Sequence, residues 1–285
     1  MSDLNPHGKQ MADESMVRNL EAQARAIWPQ ESELIRRYGL PPDIRILDAG
    51  CGTGEGASRL AEMFPRSRIM AVDILDNHLE LARERYARLA SRLTFEHRSI
   101  FELSLPPRSF DLTVCRHVIH SIPHPEQVLA ELARVTRPGG RLHLIPEDYG
   151  MLHFQTGGAH DLREFWHETP TRFGAATGTD LFVGRNTYAH LVRLGLEDIT
   201  VDYVIVDTLR VPRETFAAIL EAWRDGYAAP IGELTRFSAA EAAARFDQMI
   251  ADIRDPGRYA VWMVPVVGAR VPGGGTSDAT GTARS

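Results

Sequence analysis

Residues Ile44 to Gly56 read Ile-Arg-Ile-Leu-Asp-Ala-Gly-Cys-Gly-Thr-Gly-Glu-Gly, and no other stretch narrows the fold as much. Ile44, Ile46 and Leu47 predict a short apolar strand, and a helical pattern follows from Ala57 to Phe64. Between them lie Asp48 and a run of glycines. Glycine tolerates positive φ and puts no Cβ in the way of a ligand. The following helix start offers unpaired N–H groups. A strand, a glycine turn and a helix predict an open α/β sheet whose first turn presses backbone against a small molecule.

Two ligand classes use such a turn. Gly52-x-Gly54-x-x-Ala57, with Asp73 about 20 residues on, satisfies a dinucleotide fingerprint. Asp48 argues the other way. It stands before the first glycine, where a carboxylate would repel a pyrophosphate and attract an ammonium or sulfonium. The phrase Leu47-Asp48-Ala49-Gly50-Cys51-Gly52-Thr53-Gly54 closely resembles the first motif of class I S-adenosylmethionine-dependent methyltransferases, small-molecule type, of the broad group containing ubiquinone/menaquinone and natural-product enzymes. The resemblance is strong over about Ile44 to Ile145 and looser beyond. It implies a Rossmann-like α/β fold: a seven-stranded, mostly parallel sheet with helices on both faces and a helical cap.

The resemblance also implies a cofactor, S-adenosyl-L-methionine, leaving as S-adenosyl-L-homocysteine, and positions that would hold it. Asp48, Gly50, Gly52 and Gly54 would wrap the methionine portion. Asp73, closing a strand from Arg68 to Val72, would accept the ribose hydroxyls, and Ile74 would pack on the adenine. Ser99 stands where many family members carry an aspartate for the adenine amino group, with the Ile100 N–H donating to the ring. A backbone carbonyl at Cys115 or Arg116, ending the strand Phe110 to Cys115, would receive the ammonium. A helix begun by His124-Pro125, stopped at Arg137-Pro138-Gly139-Gly140 and followed by a strand is a further family signature.

Composition bounds the rest. At 285 residues, one α/β core plus a cap or two domains would fit. A formal net charge of −6 argues against a nucleic-acid partner. No apolar run approaches membrane-spanning length, no signal peptide is visible, and Cys51 and Cys115 have neither metal-ligand nor disulfide-framework spacing. The expectations are a cytoplasmic protein, a monomer or homodimer, with no metal, no membrane and a small-molecule methyl acceptor.

The organisation reads as a disordered N-terminus over residues 1–12 and N-terminal lid helices over 13–40, interrupted at Trp28-Pro29 and resuming after Ser32. The core spans 41–211, a helical cap 212–256, the final core strand 257–270 and a disordered tail 271–285. The leading helices would either fold over the cofactor or only cover the sheet edge. The cap pair, one helix opening at Pro212 and the next at a Ser238–Glu241 capping box, would close a substrate pocket, extend the core or form a dimer interface. Residues 150–180 read as loop-rich.

Ionisable residues gather after the fourth and fifth strands. His117 and His120 are candidate catalytic bases. Glu147, Asp148, Tyr149, His153 and, from the leading helix, Trp28 are candidates for binding the acceptor. The acids suit an amine and the histidines a hydroxyl, so an N or O nucleophile stays open. An NAD(P)-dependent oxidoreductase and a catalytically silent cofactor-binding subunit are the alternatives.

Overall fold

The computed structural model describes residues 4–273. The expected disorder over 271–285 therefore falls outside the described residues from position 274 onward. A short helix α1 (Gly8–Met11) precedes α2 (Glu14–Arg36), whose N-cap Asp13 accepts a hydrogen bond from the Ser15 N–H at 2.9 Å. Pro29 was expected to split this segment, but α2 is one helix. Pro29 is solvent-exposed, and the carbonyl its ring leaves unbonded, that of Arg25, lies on the same exposed side. A proline there costs about 3 kcal/mol. Buried Met16, Ala22, Ile27, Leu34 and Ile35 anchor the helix on both sides of it.

The core alternates strands and helices: β1 (Arg45–Ala49), α3 (Glu55–Met63), β2 (Arg68–Asp73), α4 (Asp76–Arg85), β3 (Leu93–His97), β4 (Phe110–Arg116), α5 (Pro125–Val135) and β5 (Thr136–Ile145). These strands pair in parallel in the order β3-β2-β1-β4-β5. Between β1 and β4 the winding reverses, and the crevice outside their carboxyl ends is where open α/β sheets bind ligands. Asp48 sits in register with Val114 across that point.

Then follow a short β6 (Leu152–Phe154), α6 (Leu162–Thr177), α7 (Val183–Arg193), β7 (Glu197–Asp207), α8 (Arg213–Leu234), α9 (Ala239–Arg254) and β8 (Ala260–Arg270). β8 runs antiparallel between β5 and β7, as the family pattern implies. β6 pairs with the other end of β8, on the side β5 occupies, and makes an eighth strand where seven were expected.

Helix α6 corrects the loop-rich reading of 150–180. Gly157-Gly158 suggested a loop there, yet Asp161 caps the helix by accepting from the Arg163 and Glu164 N–H groups, and the helix runs on through Pro170. Phe165, Trp166, Thr169 and Phe173 form its buried stripe. The capping box at Ser238 and Glu241 starts α9 as read from sequence.

Apolar residues form three clusters. One lies under α3 and α4, a second under α5 and α7 on the opposite sheet face. The third joins α2 to α6, α8 and α9 over the antiparallel strands β7 and β8. Two cavities open where this third cluster meets the sheet.

Candidate functional site

The glycine turn is a backbone device. Gly50, Gly52 and Gly54 have φ of +76°, +52° and +83°, a region L side chains rarely adopt. A Cβ on Gly50 would lie 2.4 Å from Val118 Cγ2. The Val72 carbonyl accepts from the Gly50 and Cys51 N–H groups at 2.8 and 2.9 Å. Asp73 holds the turn from the other side: Oδ2 accepts from the Gly52 N–H at 2.8 Å, and Oδ1 from those of Ile74 and Leu75 at 2.8 and 3.0 Å. A carboxylate offers about four lone-pair positions, so Oδ2 keeps capacity for a hydroxyl.

A cavity of about 140 Å³ opens against this turn. Asp73, Ile74, Ser99 and Ile100 line one end, and Arg116 and His117 the other. The Ser99 hydroxyl oxygen accepts from the Phe101 N–H at 3.3 Å. Cys115 is buried in the sheet core, so only its backbone could reach a ligand.

Asp48 is 2% exposed beside Gly50, Gly56 and Arg116. Burial pushes its carboxyl up to about 7, against the pull of the Arg116 guanidinium. A cation placed there would recover that cost, and a phosphate would add to it. The adjoining small cleft between Asp48, Gly50 and His117 has room for a small charged group. With glycines a Cβ would clash at, an acid strained by burial and a spare acceptor on Asp73, the residues fit an adenosyl group carrying an α-ammonium.

Arg116 is tied down by a residue the sequence did not point to. Its Nε lies 2.9 Å from Oε1 of Glu31, a fully buried acid on α2. The same Glu31 oxygen is 3.2 Å from His143 Nε2, and His143 Nδ1 is 2.8 Å from the Tyr38 hydroxyl. Burial raises Glu31, but Arg116 and His143 outweigh it and keep the carboxyl below its usual range. The available signal was an acid interrupting the apolar stripe Ile27–Leu34.

Across the crevice, His117 and Glu147 meet. His117 Nδ1 is 2.5 Å from Glu147 Oε1, which also accepts from Gln23 Nε2 at 3.3 Å. His120 Nε2 stands 3.7 Å from Glu147 Oε2. Burial would raise Glu147, but His120 and His117 together hold its carboxyl down to about 2. His120 is pushed below its ordinary value by burial, which Glu147 only partly opposes. His117 adopts φ +57°, a conformation histidine tolerates better than most residues. Its Nε2 has no partner.

Beyond His120 lies the second cavity, about 50 Å³ and walled by Tyr149, Trp166, Phe173, Trp223, Tyr227 and Phe246. The rings brace one another: His120 meets Tyr149 edge-on at 5.6 Å, Tyr149 stacks on Trp166 at 5.8 Å, and Trp223 meets Tyr149 at 5.5 Å. Residues before α2 touch both chambers: Leu4, Asn5 and Met11 line the first and His7 the second.

The structure thus gathers His117, His120, Glu147 and Tyr149, and leaves the other acceptor candidates elsewhere. Asp148 is fully buried and bonded to Arg185 at 2.6 and 2.7 Å, while also capping the turn at Gly150. His153 is exposed on β6. Trp28 packs beside the cluster under α3, because its position on α2 faces away from the aromatic chamber. His7, Thr169 and the rings of α8 and α9 were not singled out from sequence. Among the aromatic walls, Tyr149 was a sequence candidate for the acceptor.

The parallel sheet with its glycine turn suits a nucleoside-bearing cofactor, and comparison with known proteins finds a methyltransferase domain in the same stretch. Residues 47–144 match the methyltransferase domain family. A 27-O-demethylrifamycin SV methyltransferase of Amycolatopsis mediterranei is 37% identical over 102 residues, 35% of this chain and 37% of that protein. A trans-aconitate 2-methyltransferase of Deinococcus radiodurans is 34% identical over 165 residues, 56% and 60% of the two chains. Haemonchus contortus phosphoethanolamine N-methyltransferase 2, solved with phosphomonomethylethanolamine and S-adenosylhomocysteine, shares the fold: TM-score 0.54, 21% identity, 86% of this chain and 53% of that one. Residues 47–144 thus carry a methyltransferase domain, and the fold around them is shared with solved methyltransferases. It spans 25%, 37% and 42% of the length of the first three curated relatives it matches. Among the described residues, no helix is long and apolar enough to cross a membrane.

Proposed function

We propose that the protein moves a methyl group from S-adenosylmethionine to an N or O nucleophile of a small molecule held in the aromatic chamber. The observation that carries this reading is the buried His117–Glu147 pair, standing between the cofactor cavity and that chamber. The cofactor supplies a methyl already activated by a positive sulfur. The chain's work is therefore positioning, exclusion of water and removal of one proton. Gly50, Gly52, Gly54 and Asp48 hold the amino-acid end, Asp73 the ribose, and Ile74, Ser99 and Ile100 the base. The backbone at Cys115 and Arg116 closes the floor. Glu147 fixes the His117 ring through Nδ1, so Nε2 can take the acceptor's proton, and the carboxylate stabilises the imidazolium that results. His120, kept neutral by burial, borders the acceptor.

In this reading residues 13–40 act as a lid and 212–256 as a cap. Support comes from Leu20 and Gln23 of α2 at the crevice, and from Trp223, Tyr227 and Phe246 of α8 and α9 in the chamber wall. The negative charge disfavours nucleic acid, and the two free cysteines suit a reducing, cytoplasmic setting for a monomer or homodimer. Initial rates with S-adenosylmethionine against a panel of amines, phenols and carboxylates test the activity. Transfer to none of them overturns it. Calorimetry with S-adenosylhomocysteine and NAD separates the oxidoreductase alternative, which binding of NAD alone would establish.

A further inference from the structure

The aromatic chamber carries polar groups that the chain itself leaves unsatisfied. Trp166, Thr169 and His120 all line it and are 7%, 5% and 6% exposed, and among the described residues Trp166 Nε1, Thr169 Oγ1 and His120 Nδ1 have no hydrogen-bond partner. A buried donor or acceptor left unpaired forfeits the hydrogen bonds it would make to water. Thr169 is the more telling for its neighbours. On the same helix the Thr171 and Thr177 hydroxyls donate to the carbonyls four residues back, at 2.6 and 2.8 Å, the usual escape for a helical threonine. Thr169 forgoes that bond. Trp262 also has an unpaired indole N–H, but it lies in the closed core and lines neither cavity. Trp166 and Thr169 are three apart on α6 and so share a face.

An indole N–H can only donate, so its ligand partner must be an acceptor atom. Among the described residues no arginine or lysine lines the chamber, which disfavours an anion. The rest of the wall is mostly ring and aliphatic surface, with His7, Tyr149 and Tyr227 as its other polar-bearing residues, and suits a flat uncharged body.

We propose that Trp166 and Thr169 form a subsite that reads an uncharged oxygen of the acceptor, distinct from the atom that is methylated. The acceptor is then an uncharged ring compound with a hydroxyl towards His120 and His117 and a carbonyl-type oxygen against α6. The assignment of which oxygen is methylated rests on the methyl-transfer reading. The subsite itself rests on α6 alone.

Binding to the full-length protein saturated with S-adenosylhomocysteine tests it without turnover. The probes are the three isomeric hydroxyacetophenones, the matching ethylphenols that lack the carbonyl oxygen, and tyramine. At least one ketone should bind about tenfold tighter than its ethylphenol, the worth of one or two net hydrogen bonds. Trp166→Phe and Thr169→Val should each shrink that gap while leaving S-adenosylhomocysteine affinity and melting temperature in place. Equal binding of ketone and ethylphenol, or tightest binding of tyramine, overturns the subsite. The wild-type comparison decides even if a variant fails to fold. The two readings fail separately. Ketone binding with the expected gap but no methylation sinks the methyl-transfer reading and leaves the subsite. Methylation of acceptors indifferent to both variants does the reverse.

Discussion

The two chambers are built from different materials. One side of the cofactor cavity is backbone at strand ends: a glycine turn whose carbonyls and N–H groups are ordered by Asp73. The acceptor chamber is made of side chains on helices outside the parallel sheet, braced ring against ring. Backbone geometry admits few residues at each position, whereas a packed aromatic wall tolerates exchange of one large apolar group for another. The first is therefore a fixed fitting and the second an adjustable one.

Several measurements would break or sharpen that contrast. The largest effect is expected at the junction. His117→Ala should lower kcat by about a hundredfold or more, the usual worth of a positioned base, with a much smaller change in S-adenosylhomocysteine affinity. A kcat within a few-fold of wild type would remove the base from the account. In the backbone-built chamber, Gly50→Ala brings a Cβ to 2.4 Å from Val118 Cγ2 at a φ of +76°. Asp73→Ala unmakes three hydrogen bonds to the turn. Each should weaken cofactor binding by about 1–3 kcal/mol, read by titration calorimetry. Neither should alter acceptor selectivity.

A smaller, graded effect concerns pH. The Asp48 carboxyl sits at about 7 in the empty cavity, and a bound cation needs it ionised. Cofactor affinity should therefore fall as pH drops below 7, by up to about tenfold per unit, and Asp48→Asn should flatten the profile. A wild-type profile already flat between pH 8 and 5.5 would show that no cation rests on Asp48. The sign for the ligand-free fold is opposite: a raised acid contributes stability below its ordinary pKa and loses it as pH rises through 7. The smallest effect is expected at His153, exposed on β6. His153→Ala should leave acceptor KM within about twofold, as for surface positions generally. A tenfold rise would relocate the chamber.

The same contrast explains what was legible in the sequence. Backbone demands announce themselves, so the glycine turn and the Ser238 capping box could be read from residue spacing, while the antiparallel last strand came from the family resemblance. The chamber could not. Helix α6 was hidden by two preceding glycines, and with it Thr169 and Phe173. Asp148 looked like a site acid because it adjoins Glu147. Its partner Arg185 lies 37 residues away, where no local pattern reveals it. Glu31 reaches Arg116 because α2 continues through Pro29, a persistence decided by packing on both sides rather than by propensity.

The stretch ahead of α2 brings a last consequence. Leu4, Asn5 and Met11 wall one chamber and His7 the other, within a single span of eight residues. One latch thus serves two doors. If the two chambers hold acceptor and nucleoside as proposed, a swing of that latch wide enough to admit one would unroof the other, and exchange at the two ends would be mechanically geared.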